Sequence, residues 1–134
     1  MVSFTIPGAP VGKGRPRATR TGHVYTPDTT VTYENLVKLM WQDTGAKPFD
    51  ADRQLAVKIN AVYSIPKSVS NKRRAAMMEG TIRPTKKPDI DNVVKIICDA
   101  LNGLAYHDDS QIVYLAVEKW YGAIPCVKVE VDEL

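Results

Sequence analysis

The chain has 134 residues, 44% of them hydrophobic and 25% charged, with a formal net charge of +3. That is the length of one domain, with enough apolar content for a core that needs no metal or disulfide staples. It excludes a mainly disordered chain, and no apolar run approaches the roughly 20 residues of a membrane helix. Met1 to Pro10 lacks a basic segment followed by a long apolar stretch, so no signal peptide is expected. Cys98 and Cys126 are too few for a disulfide framework or a four-ligand zinc site. A reducing, cytoplasmic setting is therefore expected.

Val2 to Ile6 alternates apolar and polar and predicts a strand, ended by Pro7, Gly8 and Pro10. Val11 to Gly22 is a Gly/Arg loop without an apolar period. Asp28 to about Thr44 predicts a helix on Val31, Leu36, Val37, Leu39, Met40 and Trp41, with Gly45 as its stop. Leu55 to Ile65 alternates and is rich in Val, Ile and Tyr, so it predicts a second strand. Ser70 is placed to cap a short helix from Asn71 to about Glu79, with Gly80 at its end. A proline-marked basic linker, Arg83 to Pro88, comes next.

Ile90 to Leu101 has the clearest helical period, with Ile90, Val93, Val94, Ile97 and Leu101 on its apolar face and Asn102-Gly103 as its stop. Ile112 to Tyr121 and Val127 to Val131 alternate, and Gly122 to Pro125 between them predicts a closing hairpin. The order of elements points to an α+β fold: a small mixed β-sheet packed with helices, in a single domain over residues 1–134.

The net charge hides an asymmetry. Residues 1–26 carry Lys13, Arg15, Arg17 and Arg20 and no acid, for +4. Residues 66–88 carry Lys67, Lys72, Arg73, Arg74, Arg83, Lys86 and Lys87 against Glu79, for +6, which leaves −7 on the remainder. Two basic segments in an otherwise acidic chain suggest a polyanion partner, although a pair of solvated loops would look the same.

The acids are as unevenly placed. At about 100° per residue, Asp91, Lys95, Asp99 and Asn102 form one polar stripe on the Ile90–Leu101 helix, and Asp89 stands at its start. A second acid pair, Asp108-Asp109, lies beyond the turn at Gly103. If that turn returns the chain beside the helix start, three or four carboxylates converge, and they need a positive charge between them. A hard divalent cation such as Mg²⁺ is the simplest answer, since it takes oxygen ligands and shares them with a substrate phosphate. Each part has a plainer reading. Asp89 can be a helix cap, Asp91, Lys95 and Asp99 can be surface ion pairs, and Asp108-Asp109 can be a polar turn.

Lys87-Pro88-Asp89-Ile90-Asp91-Asn92-Val93-Val94-Lys95, the Asp99-Ala100-Leu101 helix end and His107-Asp108-Asp109-Ser110-Gln111-Ile112-Val113 together resemble the RusA family of Holliday junction resolvases. Its hallmarks are a D-x-D-N-x-x-K segment, a D-A-L helix end and a later D-D-x-Q-V stretch. Pro7-Gly8-Ala9-Pro10 with Lys13, Arg15, Pro16 and Arg17 is similar to the family's opening pattern.

The resemblance implies a homodimeric, Mg²⁺-dependent endonuclease, with Mn²⁺ as the alternative ion. Such an enzyme makes paired nicks in four-way DNA junctions during recombination and repair, and members are often phage-borne. By this likeness Asp89, Asp91, Lys95 and Asp109 are the catalytic residues, and Asp89, Asp91, Asp109 and Asp108 are the metal ligands. Lys13, Arg15, Arg17, Arg20, Lys72, Arg73, Arg74, Lys86 and Lys87 would bind the branched DNA. No membrane and no nucleotide cofactor are expected.

The alternatives are a non-cutting branched-DNA binder with a structural metal and a nuclease of broader flap or branched-DNA choice. A phosphate-binding loop at Gly8–Gly14 fails on spacing, since only three residues separate Gly8 from Gly12 and Gly14 comes directly after Lys13. His23 reads as a loop residue, and His107 is unexpected in the family pattern. Cys98, Cys126, Trp41 and Trp120 read as packing residues.

Overall fold

The computed structural model describes residues 1–134. In chain order it contains β1 (Val2–Pro7), β2 (Arg17–Ala18), β3 (Val24–Tyr25), α1 (Asp28–Asp43), β4 (Leu55–Ser64), α2 (Asn71–Glu79) and α3 (Ile90–Leu101). A single 3₁₀ turn at Asp109–Gln111 leads into β5 (Ile112–Gly122), and β6 (Cys126–Glu133) ends the chain. Four strands form a mixed sheet in the order β1-β6-β4-β5, with β6 antiparallel to both β1 and β4 and β5 parallel to β4. This is the expected α+β architecture. No helix is long and apolar enough to cross a membrane.

The closing hairpin does not form. β5 and β6 are separated by β4, so the Gly122–Pro125 segment carries the chain across the end of a strand rather than reversing it beside its neighbour. Alternation in two neighbouring segments shows that both are strands. It does not show which strand each one pairs with, and here the β4–α2–α3–β5 crossover takes one side of β4 and β6 takes the other.

The core lies between one face of the sheet and helices α1 and α3. Period-2 residues Leu55, Val57, Ile59, Ala61 and Tyr63 of β4 are buried there with Val127, Val129 and Val131 of β6 and Phe4 and Ile6 of β1. α3 supplies Val93, Ile96, Ile97, Ala100 and Leu101, while Ile90, expected on this face, is exposed at the first turn. α1 buries Thr30, Tyr33, Val37 and Trp41, whereas Val31 and Leu39 face solvent. Leu36 and Met40 pack against the same core, so of the expected face Leu36, Val37, Met40 and Trp41 hold, and Tyr33 joins them. Trp41 packs edge-on to Phe4, with ring centroids 6.1 Å apart.

The ends of α2 agree with the sequence. The Ser70 hydroxyl accepts from the Arg73 N–H at 3.2 Å, and Gly80 closes the helix in the left-handed region at φ 84°. The Gly/Arg loop is not wholly irregular, because Arg17 and Ala18 pair with Tyr25 and Val24 in a two-residue ribbon. Strands this short carry no period and leave no trace in the sequence.

Candidate active site

The parallel pairing of β4 with β5 decides where the acids stand. After β4 the chain loops through α2 and the basic linker, and α3 then runs back toward the start of β5. The linker is anchored at the end of β4, where the Tyr63 hydroxyl donates to the Pro88 carbonyl at 2.6 Å. Burial, reinforced by the nearby Asp89 charge, pushes the Tyr63 phenol up to about 12. Asp89 therefore sits beside the last residues of β4.

Asp89 occupies the N-cap position of α3 with extended backbone, yet its side chain makes no capping hydrogen bond. Neither Asp89 nor Asp91 enters an ion pair of the structure. The two exposed carboxylates stand at the positive end of the helix dipole, which favours them without neutralising them. Asp89 opens onto a polar cleft of about 510 Å³ that is also lined by Gly12, Lys13, Arg15, Lys87, Pro88 and Asn92. Two basic loops distant in sequence thus meet at the acidic start of α3.

Lys95 does not pair with Asp91. Its ammonium lies 3.2 Å from Asp99 Oδ2, one turn further on. The same oxygen lies 3.2 Å from the Lys13 ammonium, which also donates to Glu34 Oε2 of α1 at 3.0 Å. Burial alone would lower the Lys13 pKa, but its hydrogen bonds to Glu34 and Asp99 prevail and hold it above the usual lysine value.

The remaining acids are in different states. Asp108 caps the 3₁₀ turn, accepting from the backbone N–H and the hydroxyl of Ser110. These bonds hold its carboxyl below the usual aspartate range, the hydroxyl contributing most. Gln111 clamps the turn from behind. Its carbonyl accepts from the N–H groups of His107 and Asp108, and its amide donates to the carbonyls of Asp50 and Arg53. Asp109 makes no ion pair, and its charge acts on Cys98 and Tyr106. Cys98 is a packing residue whose thiol is pushed up to about 11 by burial. The buried Tyr106 hydroxyl donates to the Cys98 carbonyl at 2.7 Å.

The expected convergence of three or four carboxylates does not occur within the chain. No group of three or more Asp, Glu, His or Cys side chains comes together closely enough to hold an ion. The turn at Gly103 leads to the start of β5, where Ile112 pairs with Leu55. Asp89 instead neighbours Tyr63, at the other end of β4 and roughly 26 Å of strand away. In a parallel β–α–β unit, the loop entering the helix and the loop leaving it lie at opposite ends of the sheet. The donor set at the α3 start, two unpaired carboxylates with the Asn92 amide nearby, still fits a hard cation that completes its shell with water and phosphate.

The basic residues also divide. Arg15, Arg17, Arg20, Lys72, Arg73, Lys86 and Lys87 are exposed, and none forms an ion pair. Arg74 instead donates to the carbonyls of Pro66 and Lys67, tying α2 to the loop after β4. Arg83 stacks 3.4 Å from the Trp120 ring centroid and pairs with Glu118 at 2.7 Å, so Trp120 is covered rather than free to stack on a base. Lys119 donates to the Lys86 carbonyl at 2.6 Å, fixing the linker to β5. The parts played by Glu34, Tyr63 and Arg83 had no signal in the sequence, because each depends on a partner 21 to 35 residues away.

The chain is 38% identical over 138 aligned positions to an uncharacterised protein of Bacillus subtilis strain 168, YqaN, covering 99% of this chain and 96% of that protein. The family model described as "Endodeoxyribonuclease RusA" matches residues 7–132, which takes in the opening basic segment, the α3 acids and the 3₁₀ turn. With unpaired acids and a cationic cleft held at one end of its sheet, the chain belongs to the RusA family of endodeoxyribonucleases, enzymes of DNA recombination that hydrolyse phosphodiester bonds.

Proposed function

We propose that this protein is a Mg²⁺-dependent endonuclease that resolves four-way DNA junctions by paired symmetric nicks, acting as a homodimer in the cytoplasm. The observation that carries the reading is the pair of unpaired carboxylates, Asp89 and Asp91, at the positive end of α3, the first of them lining a cleft walled by Arg15 and Lys87. A nuclease needs anionic ligands next to a cationic seat for the phosphate, and a binder that never cuts has no use for exposed acids beside its DNA.

Asp89 and Asp91 would hold the cation, with Mn²⁺ as the alternative ion. When bound, the cation supplies a water of lowered pKa and neutralises charge on the phosphate. Arg15 and Lys87 would seat the phosphate in the cleft. Lys95, one turn beyond Asp91 and tethered to Asp99, would offset negative charge on the leaving side. Asp109, carried over from the family pattern, is proposed as a further acid that stands apart from Asp89 and Asp91 within one chain, and Asp108 as its structural neighbour rather than a ligand. Two equivalent sites in a two-fold dimer would suit a two-fold junction.

The test is cleavage of a synthetic four-way junction, a flap and a matched duplex, with and without Mg²⁺, by wild type and Asp91→Asn. The expected result is paired nicks near the crossover by wild type with metal only, with junction binding retained in the variant. Binding without cleavage under Mg²⁺ and Mn²⁺ would favour a branched-DNA binder. Equal cleavage of flaps would leave the chemistry standing and remove the junction preference.

A further inference from the structure

Lys13 differs from the other basic residues of its segment. Arg15, Arg17 and Arg20 are exposed, while the Lys13 side chain is 22% exposed between Glu34 at 17% and Asp99 at 26%. We propose that Lys13 is a positioning residue and not a phosphate contact: shared between Glu34 of α1 and Asp99 of α3, its ammonium locks the Gly12–Gly14 segment across both helices, placing Arg15 over the cleft and Lys95 on α3. The catalytic side of this proposal rests on the nuclease reading above.

The backbone around Lys13 is built for the lock. Its N–H donates to the Asn92 carbonyl of α3 at 3.0 Å, and the Gly14 N–H donates to the hydroxyl of buried Thr30 in α1 at 3.0 Å. A Cβ on Gly12 would stand 2.9 Å from Pro88 Cβ and 3.0 Å from Asn92 Cβ, and one on Gly14 would stand 2.6 Å from Thr30 Oγ1. Both glycines are therefore required by close approach, the first to α3 and the second to α1.

The charges agree with this geometry. Two of the three ammonium donors of Lys13 face carboxylates. Turning it toward a phosphate would leave the largely buried Glu34 without a counter-charge and Asp99 with Lys95 alone, while bringing in a further anion. Because Lys13 and Lys95 share one oxygen of Asp99, the lock also fixes the anchor of the lysine that the family pattern marks as catalytic.

The test is junction affinity measured across a salt series for wild type, Lys13→Met, Lys13→Arg, Glu34→Gln and Arg15→Met, with single-turnover cleavage at saturating DNA. A phosphate contact contributes about one unit to the slope of log affinity against log salt, so Arg15→Met should flatten it by about that much. Lys13→Met should leave the slope as in wild type while cleavage falls by up to about 100-fold. Glu34→Gln should lower cleavage in the same direction, and Lys13→Arg should restore part of the rate.

A slope flattened by Lys13→Met as much as by Arg15→Met, with tighter binding in Glu34→Gln, would overturn the proposal. If wild type binds junctions without cutting them, the nuclease reading fails, but the slopes still decide the assignment of Lys13. In the DNA-free protein, amide exchange at Lys13 and Gly14 should quicken in Lys13→Met and in the isosteric Glu34→Gln. Unchanged exchange in both variants would overturn the lock.

Discussion

Neighbouring side chains of one type do different work here, and their partners decide which. Asp108 and Asp109 are adjacent, yet the first is occupied by Ser110 and the second makes no ion pair. Asp109→Asn should abolish junction cleavage while leaving the thermal midpoint close to wild type. Asp108→Asn should lower the midpoint slightly and leave measurable cleavage, and cleavage assays beside thermal melts separate the two.

The pH dependence of the cap is set by the direction of its shift. The Asp108 carboxyl titrates lower in the folded chain than in the unfolded one, so its contribution is present above the ordinary aspartate pKa and is lost as pH falls through the folded value. The stability difference between wild type and Asp108→Asn should therefore vanish in strong acid, which melts across a pH series would read. Gln111 holds four backbone groups at once, and Gln111→Ala should cost about 1–3 kcal/mol in chemical denaturation.

Among the elements, α3 joins the core to the site. Its apolar face was legible because Val93, Ile97 and Leu101 recur at helical spacing, and all three are buried. Ile97→Ala should destabilise the protein by about 2–5 kcal/mol in denaturant titrations, with a matching loss of activity at elevated temperature. The same rule failed at Ile90, which opens the helix and remains exposed. Periodicity says which way a residue points, and it does not say how far along the helix the covering layer extends.

In α1 the expected face held at Leu36, Val37, Met40 and Trp41 but took in exposed Val31 and Leu39 and left out Tyr33 and Thr30, because spacing alone does not say which residues another segment covers. The β5–β6 hairpin failed for a related reason. Alternation reports which residues point one way within a strand, and pairing is a property of two strands.

For the molecule as a whole, charge is segregated by folding. Lys13 and Arg15 of the first basic segment and Lys87 of the second, whose segments lie about 40 residues apart in the chain, meet around the start of α3. The exposed, unpaired basic side chains of these segments predict a steep salt dependence of junction binding. If Arg15, Arg17, Arg20, Lys72, Arg73, Lys86 and Lys87 all meet phosphates, the slope per chain would approach about −6, and a salt titration that gave a flat line would remove the shared DNA surface.

Several features were determined by the sequence alone. They include the α+β class, the strands and helices with the clearest periods, the α2 caps, and the motif residues from Pro88 to Val113. Each of these is a local pattern or a short string, and local backbone physics reads it directly. Only the tertiary structure decided that Lys95 turns to Asp99, that Lys13 is withdrawn between two helices, and that Asp89 and Asp109 stand at opposite ends of a parallel strand pair. Those outcomes depend on which distant segments share a neighbour. In a mixed sheet that is settled by the order in which strands take their places beside β4, and no spacing along the chain encodes it.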